Sequence, residues 1–233
     1  MPQNRTETDA QDLFERGFKN FESGEFREAV ECFTRAIRIR PDVSAGYRYR
    51  ALAYLELGQR TDALNDLDQA IRRKSDDPLL YTDRARILLR QKAYDAAIAD
   101  CDKALTLDPG LVAIVGLRGD CHAGRGSTEK AFADYATAIA GDPDNAAEYL
   151  LARAHLRLDL EDNDGCIEDC SAALLKNPNL VAAYQTRGLA RRDTGDLEGA
   201  ESDLSEAVKL SPEAPLPRLA RATARLGRHQ YAE

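Results

Sequence analysis

The chain has 233 residues, 43% hydrophobic and 31% charged, which is too apolar for a disordered polymer and sufficient for a folded core. Its net charge of −8 argues against general affinity for phosphate backbones, which need clustered Lys and Arg. No apolar run approaches the roughly 20 residues that span a bilayer as a helix, and five cysteines without a Cys-x-x-Cys pair argue against a disulfide framework.

Residues 1–9 are polar, lack an apolar signal region and read as a tail, so a cytoplasmic address is expected. From residue 10 a two-helix unit begins. Leu13 and the small Gly17 mark a first helix, Ser23-Gly24-Glu25 a turn, and Ala29, Phe33 and Ala36 a second helix that stops before Pro41. Gaps of four and three residues put Ala29, Phe33 and Ala36 on one helical face. The same unit returns along the chain: Ala51 with Ala63, Leu67, Ala70 and Ser75; Ala85 with Ala97, Cys101, Ala104 and Pro109; Gly119 with Ala131, Tyr135, Ala138 and Pro143; Ala154 with Cys166, Cys170, Ala173 and Pro178; Gly188 with Ala200, Leu204, Ala207 and Pro212. The prolines from Pro109 onward are 34, 35 and 34 residues apart. Small residues allow close helix approach, large ones fill the remaining space, and proline ends the helix. Repetition at a fixed period signals a solenoid. Units are assigned to 10–43, 44–77, 78–111, 112–146, 147–180 and 181–214. Residues 215–233 read as a partial seventh unit, expected from a longer protein, or as a capping helix, with Arg218, Arg221, Arg225 and Arg228 on its wet face. The turn at Lys92-Ala93 departs from the others in lacking glycine.

These residues resemble the tetratricopeptide repeat over about residues 10–233. The resemblance implies an all-α helix-turn-helix solenoid, a right-handed superhelix whose concave wall is formed by the first helices. Such a wall suits an extended peptide or a partner helix. Some members hold chaperone tails in a carboxylate clamp of lysine, arginine and asparagine. Here the corresponding positions are Phe14, Phe18, Tyr49, Leu79 and Asp83, so that clamp is not expected.

Two charged columns run through the repeats. Arginine precedes the small residue of the first helix at Arg16, Arg50, Arg84, Arg118, Arg153 and Arg187. Aspartate precedes the large residue of the second helix at Asp66, Asp100, Asp134, Asp169 and Asp203, with Cys32 in the first unit. Planar guanidinium–carboxylate pairing would make them a structural ladder, within repeats or between them. The first-helix register places Phe14, Phe18, Phe21, Arg48, Tyr49, Leu52, Arg86 and Arg90 on the inner wall of units 1–3, a mixture of aromatics and arginines typical of interface anchors. Asp120, His155, Asp159, Gln185, Leu189 and Asp193 make the later units more acidic.

Cys166 and Cys170 are four apart, but they fall on core slots where cysteine acts as a small hydrophobe. No cofactor, metal or catalytic motif is expected. The expected function is a protein-interaction scaffold for a peptide or partner helix with apolar and acidic anchors. Alternatives are a recruiting arm of a larger enzyme and a self-assembling module.

Overall fold

The computed structural model describes residues 2–212, with side chains from residue 8. The expected partial seventh unit, with its four arginines, lies outside the described residues. Among these residues there are twelve α-helices and no strand: α1 (Pro2–Glu22), α2 (Phe26–Ile39), α3 (Ser44–Glu56), α4 (Arg60–Arg73), α5 (Pro78–Arg90), α6 (Tyr94–Leu107), α7 (Val112–Arg125), α8 (Thr128–Gly141), α9 (Ala146–Asp159), α10 (Asn163–Lys176), α11 (Val181–Asp193) and α12 (Leu197–Leu210). The segment expected as a tail continues α1 back to Pro2. It carries no apolar stripe, and helical periodicity alone could not reveal it. Proline at the first helical position costs nothing, because its missing N–H would have no partner there.

The chain divides into two compact units, one running to Ile114 and one starting at Val115. In the first, α1 packs on α2, α3 on α4 and α5 on α6, and α2 and α4 pack in turn on the next pair. In the second, α9 packs on α10 and α11 on α12, with α8 against α9 and α10 against α11.

The small–large code works inside each pair. A Cβ placed on Gly17 would stand 2.8 Å from the Phe33 ring, one on Gly119 2.9 Å from Tyr135, and one on Gly188 2.9 Å from Leu204. Where the first helix carries alanine, Ala51 shares a core cluster with Leu67, and Ala154 one with the smaller Cys170. A small residue on the first helix thus leaves room for the larger side chain of its partner. All five cysteines are buried thiols.

The turns within pairs share one geometry. The backbone N–H of Glu25, Gln59, Ala93, Ser127, Asp162 and Asp196 each donates to the carbonyl five residues earlier, at 2.8–2.9 Å. The residue before each donor takes a left-handed conformation, with φ of 75 to 86° at Gly24, Gly58, Gly126 and Gly195. Lys92 and Glu161 hold the same position at φ 59 and 61°. The glycine-free turn is therefore the same turn, at a cost in backbone strain. Between pairs, Tyr47 Oη donates to Pro41 O at 3.3 Å and Tyr81 Oη to Ser75 O at 3.1 Å, so the break is fixed whether or not proline occupies it.

Candidate protein-interface groove

Five first-helix arginines meet the second helix of their own pair edge-on. Nε and Nη2 donate to the two carboxylate oxygens at 2.7 and 2.7 Å for Arg50–Asp66, 2.8 and 2.7 Å for Arg84–Asp100, and 2.9 and 2.7 Å for Arg118–Asp134. The distances are 2.9 and 2.6 Å for Arg153–Asp169 and 2.9 and 2.7 Å for Arg187–Asp203. All five aspartates are buried, so each carboxylate draws its hydrogen bonds from these donors in place of water. The hydrogen bond to Asp100, and a second to Asp68, hold the Arg84 pKa above its ordinary value against the opposing effect of burial.

The remaining guanidinium nitrogen points the other way. Arg50 Nη1 donates to Thr34 Oγ1 at 3.0 Å, Arg84 Nη1 to Asp68 Oδ1 at 2.6 Å, and Arg187 Nη1 to Ser171 Oγ at 3.0 Å. Each acceptor belongs to the preceding helix pair, so these three arginines clamp their own pair and tie it to its neighbour. Thr34, Asp68 and Ser171 sit two residues beyond the aspartate column's register, a signal the sequence carried in mixed residue types. Arg16 stands apart: it is exposed, and its partner position is Cys32, which instead lies 3.8 Å from Asn20 Nδ2.

The aromatics expected on the inner wall are largely engaged with one another. Phe14 and Tyr49 lie 5.5 Å apart between ring centres, Phe18 and Tyr49 5.3 Å, and Phe14 and Phe33 5.5 Å, mostly edge to face. Phe21 packs on Phe26 at 5.5 Å. All four expected residues are half-buried, because Phe14, Phe18 and Phe21 of α1 and Tyr49 of α3 together cover Phe33, Ala29 and Ala53.

The open surface lies further along, where α3 faces α5. A groove of about 420 Å³ is lined there by Leu52, Leu55, Glu56, Asp83, Arg86, Ile87 and Arg90, with Arg60 from the start of α4. Three expected residues, Leu52, Arg86 and Arg90, meet in it. Arg48 does not present a free charge: its Nε donates to Asp83 Oδ2 at 2.7 Å, joining α3 to α5. Burial raises the Asp83 pKa, and the attraction of Arg48 works against that rise. By contrast, Arg60, Arg86 and Arg90 are exposed and make no ion pair among the described residues. Leu55 and Glu56 were legible as the next turn after Leu52. Arg60 was not, since it belongs to the second helix.

In the second unit the wall is polar. Tyr135 Oη donates to Asp120 Oδ1 at 2.9 Å, and His155 Nε2 lies 2.9 Å from Thr186 Oγ1. Burial raises the Asp120 pKa and lowers that of His155.

Residues 20–59 and 50–112 match a tetratricopeptide repeat model, and residues 181–213 match a second model of the same description. The rice (Oryza sativa subsp. japonica) DnaJ protein P58IPK homolog B is 28% identical over 222 residues, covering 88% of this chain and 47% of that protein. Hsc70-interacting protein 1 of Drosophila melanogaster is 41% identical over 87 residues, covering 37% of this chain and 23% of the fly protein. The chain thus spans about half the length, or less, of these curated relatives. Among solved structures, PilW, a type IV pilus biogenesis factor, superposes with a TM-score of 0.81 at 16% identity, over 90% of this chain and 97% of PilW. Yeast Tom70 gives 0.66 at 22% identity, over 97% of this chain and 48% of Tom70. Both show a common fold. With the small–large code, the common turn and the matched repeat models in agreement, this chain belongs to the tetratricopeptide repeat family, as a protein-binding scaffold of helical repeats.

Proposed function

We propose that the first unit captures a segment of a partner protein in the groove between α3 and α5. The observation that supports this most directly is the juxtaposition of unpaired Arg60, Arg86 and Arg90 with the half-buried Leu52 and Leu55. Such a surface offers apolar burial and charge recognition together, the combination that makes interface hot spots. The half-buried Phe14, Phe18, Phe21 and Tyr49 set the position of α1 against α3 and contribute only their exposed edges. The matching test is a displayed library of random peptides, panned on the whole chain, with binders crosslinked and mapped. Crosslinks concentrated on α3 and α5 support the reading; a library that yields no saturable binder refutes it.

A second reading is a recruiting arm within a larger chaperone-associated protein. It is supported by the similarity to the rice DnaJ protein along 88% of this chain. Co-precipitation of an Hsp70-class chaperone with the full open reading frame, lost when the repeats are deleted, would support it; an equal yield without the repeats would refute it.

A further inference from the structure

We propose that this groove reads two carboxylates spaced about one helical turn apart, at Arg86 and Arg90, in a partner segment that seats an apolar side chain between them on Leu52 and Leu55. The inference rests on the binding reading above and specifies its ligand. Arg86 and Arg90 are four residues apart on α5, so they lie on one face, about 6 Å apart along the axis. Both are exposed and without ion pairs among the described residues, although the chain as a whole is acidic. Held beside each other in one groove, they repel; Asp83 is attracted to Arg86 but is already bonded to Arg48, and Glu56 makes no ion pair with either arginine among the described residues, so an anion from outside gains from both.

The base of the groove determines where those anions go. Asp83 is buried and already occupied by Arg48. A ligand carboxylate driven to that depth would meet Asp83 and lose water without gaining a donor. Leu52 and Leu55 supply the apolar lining beside the Arg48–Asp83 pair, and Ile87 is almost fully buried. An apolar side chain therefore fits the middle, with carboxylates at the outer turns. Glu56, on the α3 side, adds repulsion that favours anions on the α5 side. Two carboxylates about 6 Å apart occur at positions i and i+4 of a helix, and an acidic amphipathic helix, which adds an apolar face beside them, is the occupant proposed.

The test uses the whole chain and two labelled helical peptides. One carries glutamates at i and i+4 with a leucine at i+3 on the same face, and its twin carries lysines in place of the glutamates. Fluorescence anisotropy should show binding of the glutamate peptide that weakens with salt. Arg86→Glu and Arg90→Glu should each weaken it about tenfold, and the double variant should prefer the lysine twin. Replacing the leucine by serine should also weaken binding. Both arginines are exposed, so helicity by circular dichroism should not change. Unchanged affinity in the double variant, or failure of the lysine twin to gain on it, overturns the inference. If the library yields binders but the parent ignores the glutamate peptide, this inference alone fails; if the library yields none, the binding reading itself falls.

Discussion

At the scale of single residues, the arginine–aspartate clamp is the feature with the sharpest energetic signature. Asp100 receives two hydrogen bonds from Arg84 at a site where the aspartate side chain is 7% exposed and the arginine 25%. In Asp100→Ala the guanidinium keeps Asp68 and partial access to water, so the expected loss is about 1–3 kcal/mol. Urea denaturation should register it, and an unchanged midpoint would count against a structural role for the pair. His122 occupies the position four residues after Arg118. The equivalent Arg157 and Arg191 reach the aspartate of their own pair at 3.4 and 2.9 Å. His122 Nε2 stays 3.9 Å from Asp134, and Nδ1 is buried without a hydrogen-bond partner. Burial holds the imidazole pKa below its usual 6.5; Asp134 opposes this, while Arg118, Lys130 and Arg125 reinforce it. The unfolded chain therefore takes up this proton first. The contribution of neutral His122 is complete above about pH 6.5 and declines as the pH falls toward the folded-state value. His122→Phe should flatten the fall in stability between pH 7.5 and 5.5. His155, lowered by burial in the same sense, leaves a residual slope. An identical pH profile in parent and variant would exclude His122 as a contributor.

At the scale of the helix pair, turn and packing make opposite demands on glycine. Lys92 sits at φ 59° in a turn whose other copies mostly use glycine. Lys92→Gly should stabilise by about 0.5–1 kcal/mol, the relieved strain exceeding the added unfolded-state freedom. Thermal melting would settle the sign. Gly17 is the converse case, a helix-interior glycine that propensity alone would replace by alanine with a gain of about 1 kcal/mol. Its Cβ would stand 2.8 Å from the ring of Phe33, which is fully buried among Phe14 and Tyr49. Overpacking costs about 1–3 kcal/mol, so Gly17→Ala should be net destabilising, and a raised melting temperature would refute the close-packing account. These elements were readable in the sequence because every repeat restates the same spacing. The extension of α1 to Pro2 was not, since a helix without an apolar face leaves no periodic trace.

For the molecule as a whole, stacked pairs respond to damage locally. Stability in such an array is close to a sum of pair and neighbour terms. In Asp66→Ala, hydrogen exchange should quicken throughout α3 and α4, spread to α2 and α5 through their contacts, and stay nearly unchanged in α9 to α12. Uniform loss of protection across all helices would show a single cooperative unit instead. The surface follows a related logic, because each first helix presents a different side chain at one register position: Leu52, Arg86, Asp120, His155 and Leu189. A repeated frame thus carries side chains that do not repeat.

The sequence by itself determined the period, the helix faces, the small–large packing and the two charged columns, because each is a local pattern repeated in register. The tertiary structure decided which groups remain available. It placed Asp83 against Arg48, turned the third nitrogen of Arg50, Arg84 and Arg187 onto the preceding pair, folded Phe14, Phe18 and Tyr49 around Phe33, and brought Arg60 to the groove of Arg86 and Arg90. The physical reason is that a side chain's type is written in the chain, whereas its unpaired charge or exposed face depends on which neighbours the stacking brings within hydrogen-bond and van der Waals reach.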